Sequence, residues 1–502
     1  MASTLNGRRA SLLILVVAYH AEDTLESVLD RIPRQVLRDY ACEALVVDDC
    51  SADRTFELGR RYAQQHPELP IQVMRNRVNQ GYGGNQKVGY AYAIEHDFDF
   101  VAMLHGDGQY APERLSDLME PFADETVGAV FGSRMLTRGG ARTGGMPLYK
   151  FVGNRVLTTY QNTLLRKSFS EYHSGYRVYR VSALSRLRWD LNTNDFHFDT
   201  QIILQLLNAD EGIAEVPIPT YYGDEISRVN GMKYAFDVMK VTLQFFIHRL
   251  GLRQQLRFDP ITSAHDPYDA KLGYDSSHQW AIEAVPPGST VVDLGGGPGH
   301  IATALVAKGC RVLCVDQEAP AVRPPVGVTV EVADLDEGLK VDISHADVIL
   351  MLDVLEHLKE PEQFLRDLRR QLGHETKKVI VTTGNVAFAA TRFSLLVGQF
   401  NYGGSGILDR DHTRLFTFRT IRHLLRDAGV RRMRIRGIPA PFPKAIGDNW
   451  LSRLLLRINL GLIRISKRMF SFQIMVEGET TPDLQFLVKD ASDYGRESSL
   501  SA

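Results

Sequence analysis

The chain has 502 residues, a formal net charge of −2 at pH 7, and a composition that is 44% hydrophobic and 24% charged. This balance excludes a long disordered polymer and, without a basic excess, a protein whose main partner is nucleic acid. At roughly 150 residues per domain the length allows two or three units, and two larger α/β units fit the pattern.

The polar start MASTLNGRRA carries no leader signature, and the apolar SLLILVVAY after it is too short to span a bilayer, so it reads as a buried strand. Further β-rich runs follow at ACEALVVDD, IQVMRN, FDFVAMLH and VGAVFGS, each ending in a polar or glycine-rich loop. Strands alternating with helical patterns predict a mostly parallel sheet covered by helices. The pattern loosens at GLRQQLRFDPITSAHDPYDAK, which places a linker at 251–275 between a unit at 1–250 and a second unit at 276–480. The second alternation runs through STVVDLG, CRVLCVD, ADVILMLD and KKVIVTTG and ends near FSFQIMVEG, leaving a loose polar tail at 481–502. Cys42, Cys50, Cys310 and Cys314 are too dispersed for a disulfide framework or zinc site and read as structural thiols in a reducing compartment. No segment supplies about 18 uncharged apolar residues, so a cytoplasmic protein is expected, peripheral at most at the inner face of the membrane.

In open parallel sheets, ligands sit beyond the carboxyl ends of the strands. Acids recur there: Asp48 and Asp49 in DDCSADRT, and Asp107 in HGDGQY. Asp48 and Asp49 are placed to accept hydrogen bonds from a nucleobase or ribose. Asp107 with the Gln109 carbonyl offers hard oxygen ligands for magnesium or manganese, and the neighbouring His105 can ligate manganese or bond a phosphate. Each acid taken singly is equally a helix N-cap. Arg134, Arg177, Arg228 and Lys233 are candidates for neutralising phosphate, and Asp199 and Glu171 are candidate catalytic bases.

The blocks VVAYHAEDTLESVLDRI, LVVDDCSADRT, NQGYGGNQKVGYAYAI, LHGDGQYAPE and FGSRM occur in the order and spacing of family 2 glycosyltransferases. Together with HSGYRVYR and EVPIPTYYGDEISRVNGMK, they make about the first 250 residues resemble the branch related to dolichyl-phosphate mannose synthase. The resemblance implies a GT-A fold and inverting, metal-assisted transfer from a UDP- or GDP-linked sugar to a glycan or polyprenyl-phosphate acceptor. It places Tyr19, Glu22, Asp48, Asp49, Gly81, Lys87 and Asp107 around the nucleotide sugar, with catalytic Asp107, Gln109 and His105 on the metal. Val17, His20 and His105 depart from the proline, asparagine and first D-x-D aspartate common there. Lys150 and Asn154 stand where lipid-phosphate members carry R-x-x-x-S, so the acceptor is open between a lipid phosphate and a hydroxyl.

In the second half, STVVDLGGGPGHIATALVAKGCRVLCVDQE is a strand, a glycine turn, a helix and a second strand ending in Asp316. The glycines allow close backbone approach to a ligand, and an acid about 20 residues on can take ribose hydroxyls. Asp293 at the head of the turn and the later DVILMLDVLEHLKEPEQFL resemble class I S-adenosylmethionine-dependent methyltransferases with their Rossmann-like fold. The resemblance implies S-adenosyl-L-methionine held by Asp293, Gly295, Gly297, Gly299, Asp316 and Asp334, with His412 and His357 as acceptor-side base candidates. The basic amphipathic segment 450–468, with Arg453, Arg457, Arg464 and Arg468 in one arc, is suited to an anionic membrane surface or to packing on its own sheet. The combined reading is a bifunctional enzyme that builds and methylates a glycan or glycolipid. The alternatives are a methyltransferase beside a non-catalytic sugar-binding module, or one acting on an unrelated small acceptor.

Overall fold

A computed structural model describes residues 4–5, 8–137, 139–220, 230–250, 253–261, 272–297, 299–318, 326–373 and 375–482. The chain divides into two units, one of Met1–His248 with Gln255–Ser263 and one of Arg249–Gln254 with Ala264–Ala502. Part of the expected linker is built into the first unit: Phe258 is buried, and Gln205 and Asn208 donate to the Arg257 and Phe258 carbonyls at 2.5 and 2.9 Å. Residues 251–252 and 262–271 of that segment, and the expected tail from 483 onward, lie outside the described residues.

The first unit contains a sheet of β1 (Ser11–Ala18), β2 (Ala41–Asp48), β3 (Ile71–Arg75), β4 (Phe100–His105), β5 (Val127–Ser133), β6 (Arg177–Arg180) and β7 (Gly212–Pro217) in the order β3-β2-β1-β4-β6-β5-β7. Strands β1 to β4 are mutually parallel, and β6 runs antiparallel to both neighbours. Successive side chains of a strand point to opposite faces, so an unbroken apolar run needs cover on both. Accordingly Leu12, Ile14 and Val16 of β1 enter one core and Leu13, Leu15 and Val17 the other. The covering helices include α1 (Tyr82–Glu95), α2 (Leu148–Leu165), α3 (Phe198–Asn208) and α4 (Gly231–Arg249).

The second unit has β8 (Thr290–Leu294), β9 (Arg311–Asp316), β10 (Val328–Val332), β11 (Val348–Leu352), β12 (Lys378–Gly384), β13 (Val430–Ile438) and β14 (Gln473–Thr480) in the order β10-β9-β8-β11-β12-β14-β13. The strands from β10 to β12 are parallel and β14 returns antiparallel between β12 and β13. The order reverses at β8, and the glycine turn follows this central strand, where α/β sheets bind ligands.

The basic amphipathic segment is shorter than the expected 450–468: α5 spans Trp450–Ile465, and the chain turns extended at Ser466 (φ −150°, ψ 94°) before a single turn at Lys467–Phe470. Arg468 therefore leaves the expected arc. The Asn459 amide donates to the Phe470 carbonyl at 2.9 Å, tying the turn back onto α5. Among the described residues no helix is long and apolar enough to cross a membrane.

Candidate functional site

Because β1, β2 and β4 are parallel neighbours, Asp48 and His105 at their strand ends and Tyr19 and Asp49 just beyond lie at the same, carboxyl end of the sheet. Asp48 is fully buried. Its Oδ1 accepts the Ser51 N–H and hydroxyl, while its Oδ2 lies 3.3 Å from Arg75 Nε and has no hydrogen-bond partner. An ion-pair distance without hydrogen-bond geometry leaves that oxygen able to accept from a ligand. Asp49 is committed to the protein: it accepts from the Asn76 amide at 2.7 Å and from the Gln80 and Gly81 N–H groups at 2.8 and 3.0 Å. It thereby fixes the turn into α1, where Gly81 has φ +79° and a Cβ would stand 2.7 Å from the Asn194 carbonyl. Tyr19 is exposed, and Glu22 accepts from the Arg54 N–H at 3.2 Å.

Lys87 departs from the expectation of a nucleotide contact. Its ammonium donates to the Asp190 and Asn192 carbonyls and to Asn194 Oδ1 at 3.0, 2.5 and 2.9 Å. An ammonium has three donors, so Lys87 straps the 190–194 turn and has none left for a ligand.

A polar chain crosses the site from the end of β4. His105 Nε2 lies 3.3 Å from the Tyr82 hydroxyl, which donates to Asp199 Oδ2 at 2.9 Å, and the Gln86 amide donates to Asp199 Oδ1 at 3.1 Å. Burial lowers the His105 pKa against the opposing pull of Asp107 and Asp199, which keeps the imidazole neutral and able to ligate a cation. Asp107 is exposed, and its Oδ1 accepts the Gln109 N–H at 3.0 Å across a turn in which Gly108 has φ +73°. Carboxylate, amide and neutral imidazole lie within five residues of one another on this loop, a donor set whose chemistry fits a divalent cation.

Gly175 seals this arrangement, since a Cβ there would meet His105 Nε2 at 2.7 Å and the Tyr82 hydroxyl at 3.0 Å. Gly175→Ala is expected to displace the imidazole and weaken Mn²⁺ binding by roughly tenfold or more, as loss of a supporting contact around a ligand does. Titration of Mn²⁺ followed by electron paramagnetic resonance checks this.

The acceptor-side candidates behave differently from expectation. Glu171 and Arg134 form a buried ion pair, and Glu171 also accepts the Arg134 N–H at 2.9 Å and the Asn154 amide at 2.7 Å. Burial alone would raise the Glu171 carboxyl, but Arg134 and these hydrogen bonds hold it below the ordinary value, so it is a poor proton acceptor. Arg177 is 1% exposed and donates to the Ser174, Asp199 and Tyr172 carbonyls at 2.9, 3.0 and 3.0 Å, which commits it to the interior instead of a phosphate. Lys233 pairs with Asp195 and, at 3.2 Å, with Asp237. These two acids and His197 are also grouped closely enough to ligate a metal, but the Lys233 ammonium already pairs with both carboxylates. Arg228 lies outside the described residues, and Lys150 is half-buried in the first turn of α2.

Sequence reasoning missed His173, whose Nδ1 lies 3.0 Å from the Tyr234 hydroxyl and whose buried Nε2 has no partner. Burial pushes its pKa down to about 4. The HSGYR block contained the signal, a histidine two residues after Glu171. A groove of 510 Å³ lined by Arg166, Lys167, Glu211 and Gly212 lies at the amino end of β7, away from these groups.

In the second unit the glycine turn after β8 is cradle-shaped. Gly295, Gly297 and Gly299 have φ +73°, +53° and +82°, and a Cβ on Gly297 or Gly299 would meet nothing within 4 Å. The Gly297 N–H donates to Asp316 Oδ2 at 2.8 Å, tying the turn to the end of β9. Asp293 is buried, its Oδ2 has no partner, and burial followed by Asp316 raises its pKa to about 7. An unpartnered buried carboxyl beside an open glycine cradle fits a ligand carrying a cationic amino group. Asp334 caps the 3-10 turn Leu335–Glu337 through the Asp336 N–H at 2.9 Å.

At the end of β11, His357 and His412 meet edge to face with ring centres 4.7 Å apart. His412 Nδ1 lies 3.0 Å from the Ile407 carbonyl, which assigns the proton to Nδ1 and leaves Nε2 as an acceptor; burial lowers its pKa. Beside them is a carboxyl that sequence reasoning passed over: Glu356 is buried, accepts the Gly384 N–H at 3.1 Å, and has its pKa raised to about 8 by burial and Asp353. The signal was an acid set within the apolar VLEHL run.

Both raised carboxyls are protonated more readily in the folded than the unfolded chain. Their stabilising contribution is therefore fully present below the ordinary carboxyl pKa near 4 and is lost as pH rises through about 7 and 8. Thermal melts should show the second unit losing stability from pH 5 to 9, with a flatter profile in Asp293→Asn.

Residues 13–188 match the model of Glycosyl transferase family 2, and residues 274–432 match a Methyltransferase domain model. The chain is thus an enzyme joining a glycosyltransferase domain of GT-A architecture to a methyltransferase domain of Rossmann-like architecture. Similar proteins include polyprenol monophosphomannose synthase of Mycolicibacterium smegmatis, 27% identical over 46% of this chain and 84% of that one. Undecaprenyl-phosphate mannosyltransferase of Micrococcus luteus is 27% identical over 49% of this chain and 98% of its own length. Among solved structures, glucosyl-3-phosphoglycerate synthase of Mycobacterium tuberculosis in complex with uridine diphosphate aligns at a TM-score of 0.37 and 16% identity, over 47% of this chain and 80% of that one.

Proposed function

We propose that the first unit transfers a sugar, with inversion, from a nucleotide sugar to a polyprenyl phosphate, and that the second unit methylates a glycan or glycolipid with S-adenosylmethionine. The observation that carries the acceptor assignment is the state of the two candidate bases. Glu171 is tied to Arg134 and Asn154, and Asp199 to Tyr82, Gln86 and Arg177. A sugar hydroxyl would need a base within hydrogen-bond reach, whereas a phosphate monoester is already ionised near neutrality. The relatives named for polyprenol and undecaprenyl phosphate support the same choice.

In this reading, Asp48 accepts from the nucleoside, while Asp107, Gln109 and His105 hold magnesium or manganese. The bound ion supplies Lewis-acid stabilisation to the departing diphosphate. An acceptor phosphate oxygen attacks the anomeric carbon from the opposite face, its new bond forming as the sugar–diphosphate bond breaks. Glu171, Asn154 and Arg134 position the acceptor end. Methyl transfer needs mainly alignment of sulfonium and nucleophile. Asp293 and the glycine turn hold the cofactor, and His412 Nε2 takes the proton of a hydroxyl acceptor.

The test is incubation of the full chain with UDP- and GDP-sugars, manganese and undecaprenyl phosphate, with extraction of the lipid product. A sugar-bearing lipid phosphate is expected. Transfer only to free glycan hydroxyls would overturn the acceptor assignment.

A further inference from the structure

Helix α2 turns large apolar side chains to its exposed side. Its inward face mixes Leu157 and Leu165 with Asn154, Thr158 and Gln161, and both polar atoms of the Gln161 amide are buried without a partner among the described residues. Its outward face carries Leu148, Tyr149, Val152 and Val156, with Tyr149 73% and Val156 60% exposed. Helix α4 lies beside it, the Tyr160 hydroxyl donating to the Met239 carbonyl at 3.1 Å. This second helix buries Val238, Val241 and Phe245 and exposes a stripe of Met232, Phe236, Met239 and Leu243, with Met232 84% and Phe236 66% exposed. At about 100° per residue these four positions fall within one narrow arc.

Contiguous apolar surface of this kind on a folded unit marks an interaction face. Its border carries the exposed cations Arg155 and Lys240, α2 contains no acid, and the acid of α4, Asp237, is held together with Asp195 by Lys233. The inner sides of the same two helices reach the acceptor end of the site, through Asn154 to Glu171 and through Tyr234 to His173.

We infer that the α2–α4 face docks on the surface of an anionic lipid bilayer, with the apolar stripes at the depth of the acyl boundary and the cations at the headgroups. Docking there presents the acceptor end to a phosphate held at the membrane surface, so the inference rests on the polyprenyl-phosphate reading for its purpose, although the docking itself is separately measurable.

The test uses the full chain, sedimented with vesicles of phosphatidylcholine alone or mixed with phosphatidylglycerol. Wild type should bind the mixed vesicles preferentially. Met232→Ser/Phe236→Ser and Val152→Ser/Val156→Ser should each lower that binding by about tenfold or more, since each removes two large apolar anchors. Nucleotide titration should stay within about twofold of wild type, which controls for folding. Both variants should still glycosylate a short-chain, water-soluble polyprenyl phosphate while losing transfer to undecaprenyl phosphate in vesicles. Unchanged vesicle binding overturns the proposal. So does a dimer, detected by light scattering, that dissociates in the variants, because the face then belongs to a second copy. Vesicle binding lost in the variants, with no wild-type transfer to either lipid phosphate, upholds the docking face and removes the acceptor assignment.

Discussion

Asp107→Ala is expected to lower sugar transfer by about a thousandfold while leaving the fold intact. The carboxylate is exposed, and among the described residues it accepts a hydrogen bond from the Gln109 N–H two residues on, so little packing is lost with it. Its contribution is to hold the charge that stabilises a departing diphosphate, and several kcal/mol of such stabilisation corresponds to a rate factor of about 10³. Calorimetric titration with UDP and GDP, with and without manganese, separates the effects: metal-dependent binding should disappear in the variant and metal-independent binding should persist. Equal metal dependence in wild type and variant would remove Asp107 from the cation site. Gln109 and His105 would then have to hold the ion without a carboxylate, which is poor chemistry for magnesium.

Glu171→Ala should produce the largest loss of stability. The carboxylate and the Arg134 guanidinium are both buried, and removing one partner leaves a desolvated charge with no counter-ion, which costs about 3–5 kcal/mol. For a unit of this size that corresponds to a fall in Tm on the order of 10 °C. Asn154 loses a hydrogen-bond acceptor at the same time. The double change Arg134→Met with Glu171→Leu should recover much of the loss, because it removes both buried charges, while leaving sugar transfer impaired. Differential scanning calorimetry of the two variants beside wild type decides this, and a Glu171→Ala melt within 2 °C of wild type, about 1 kcal/mol, would contradict the account.

The parts of the fold legible in the sequence are those where burial leaves a periodic record. SLLILVVAY gave itself away because β1 is covered on both faces, and the glycine turn because it needs three positive φ angles near one strand end. Strand β13 was hidden because it is an edge strand carrying Arg431, Arg432, Arg434 and Arg436. Strand β6 was hidden by its brevity and by Arg177, whose charge suggests surface but whose donors point inward to carbonyls. Direction is also what misled the reading of Lys87 and Lys233. A long cationic side chain can reach several partners, and nothing in local sequence says that Lys87 will fold onto the 190–194 turn or Lys233 onto Asp195. Glu356 was overlooked for the converse reason: a lone acid beside a histidine draws less attention than the histidine, although burial raises its pKa to about 8.

The most direct test of the central claim, that one chain carries both transfers, is mass spectrometry of the lipid extract made by the full chain. The reaction contains a nucleotide sugar, manganese, undecaprenyl phosphate and methyl-labelled S-adenosylmethionine. The expected product is a lipid phosphate bearing the sugar and, on the same glycan or after further extension, the labelled methyl group, with Asp107→Ala removing the sugar and Asp293→Ala removing only the methyl. Labelled methyl on a product that contains no sugar, with no glycosylated lipid under any donor, would contradict the claim.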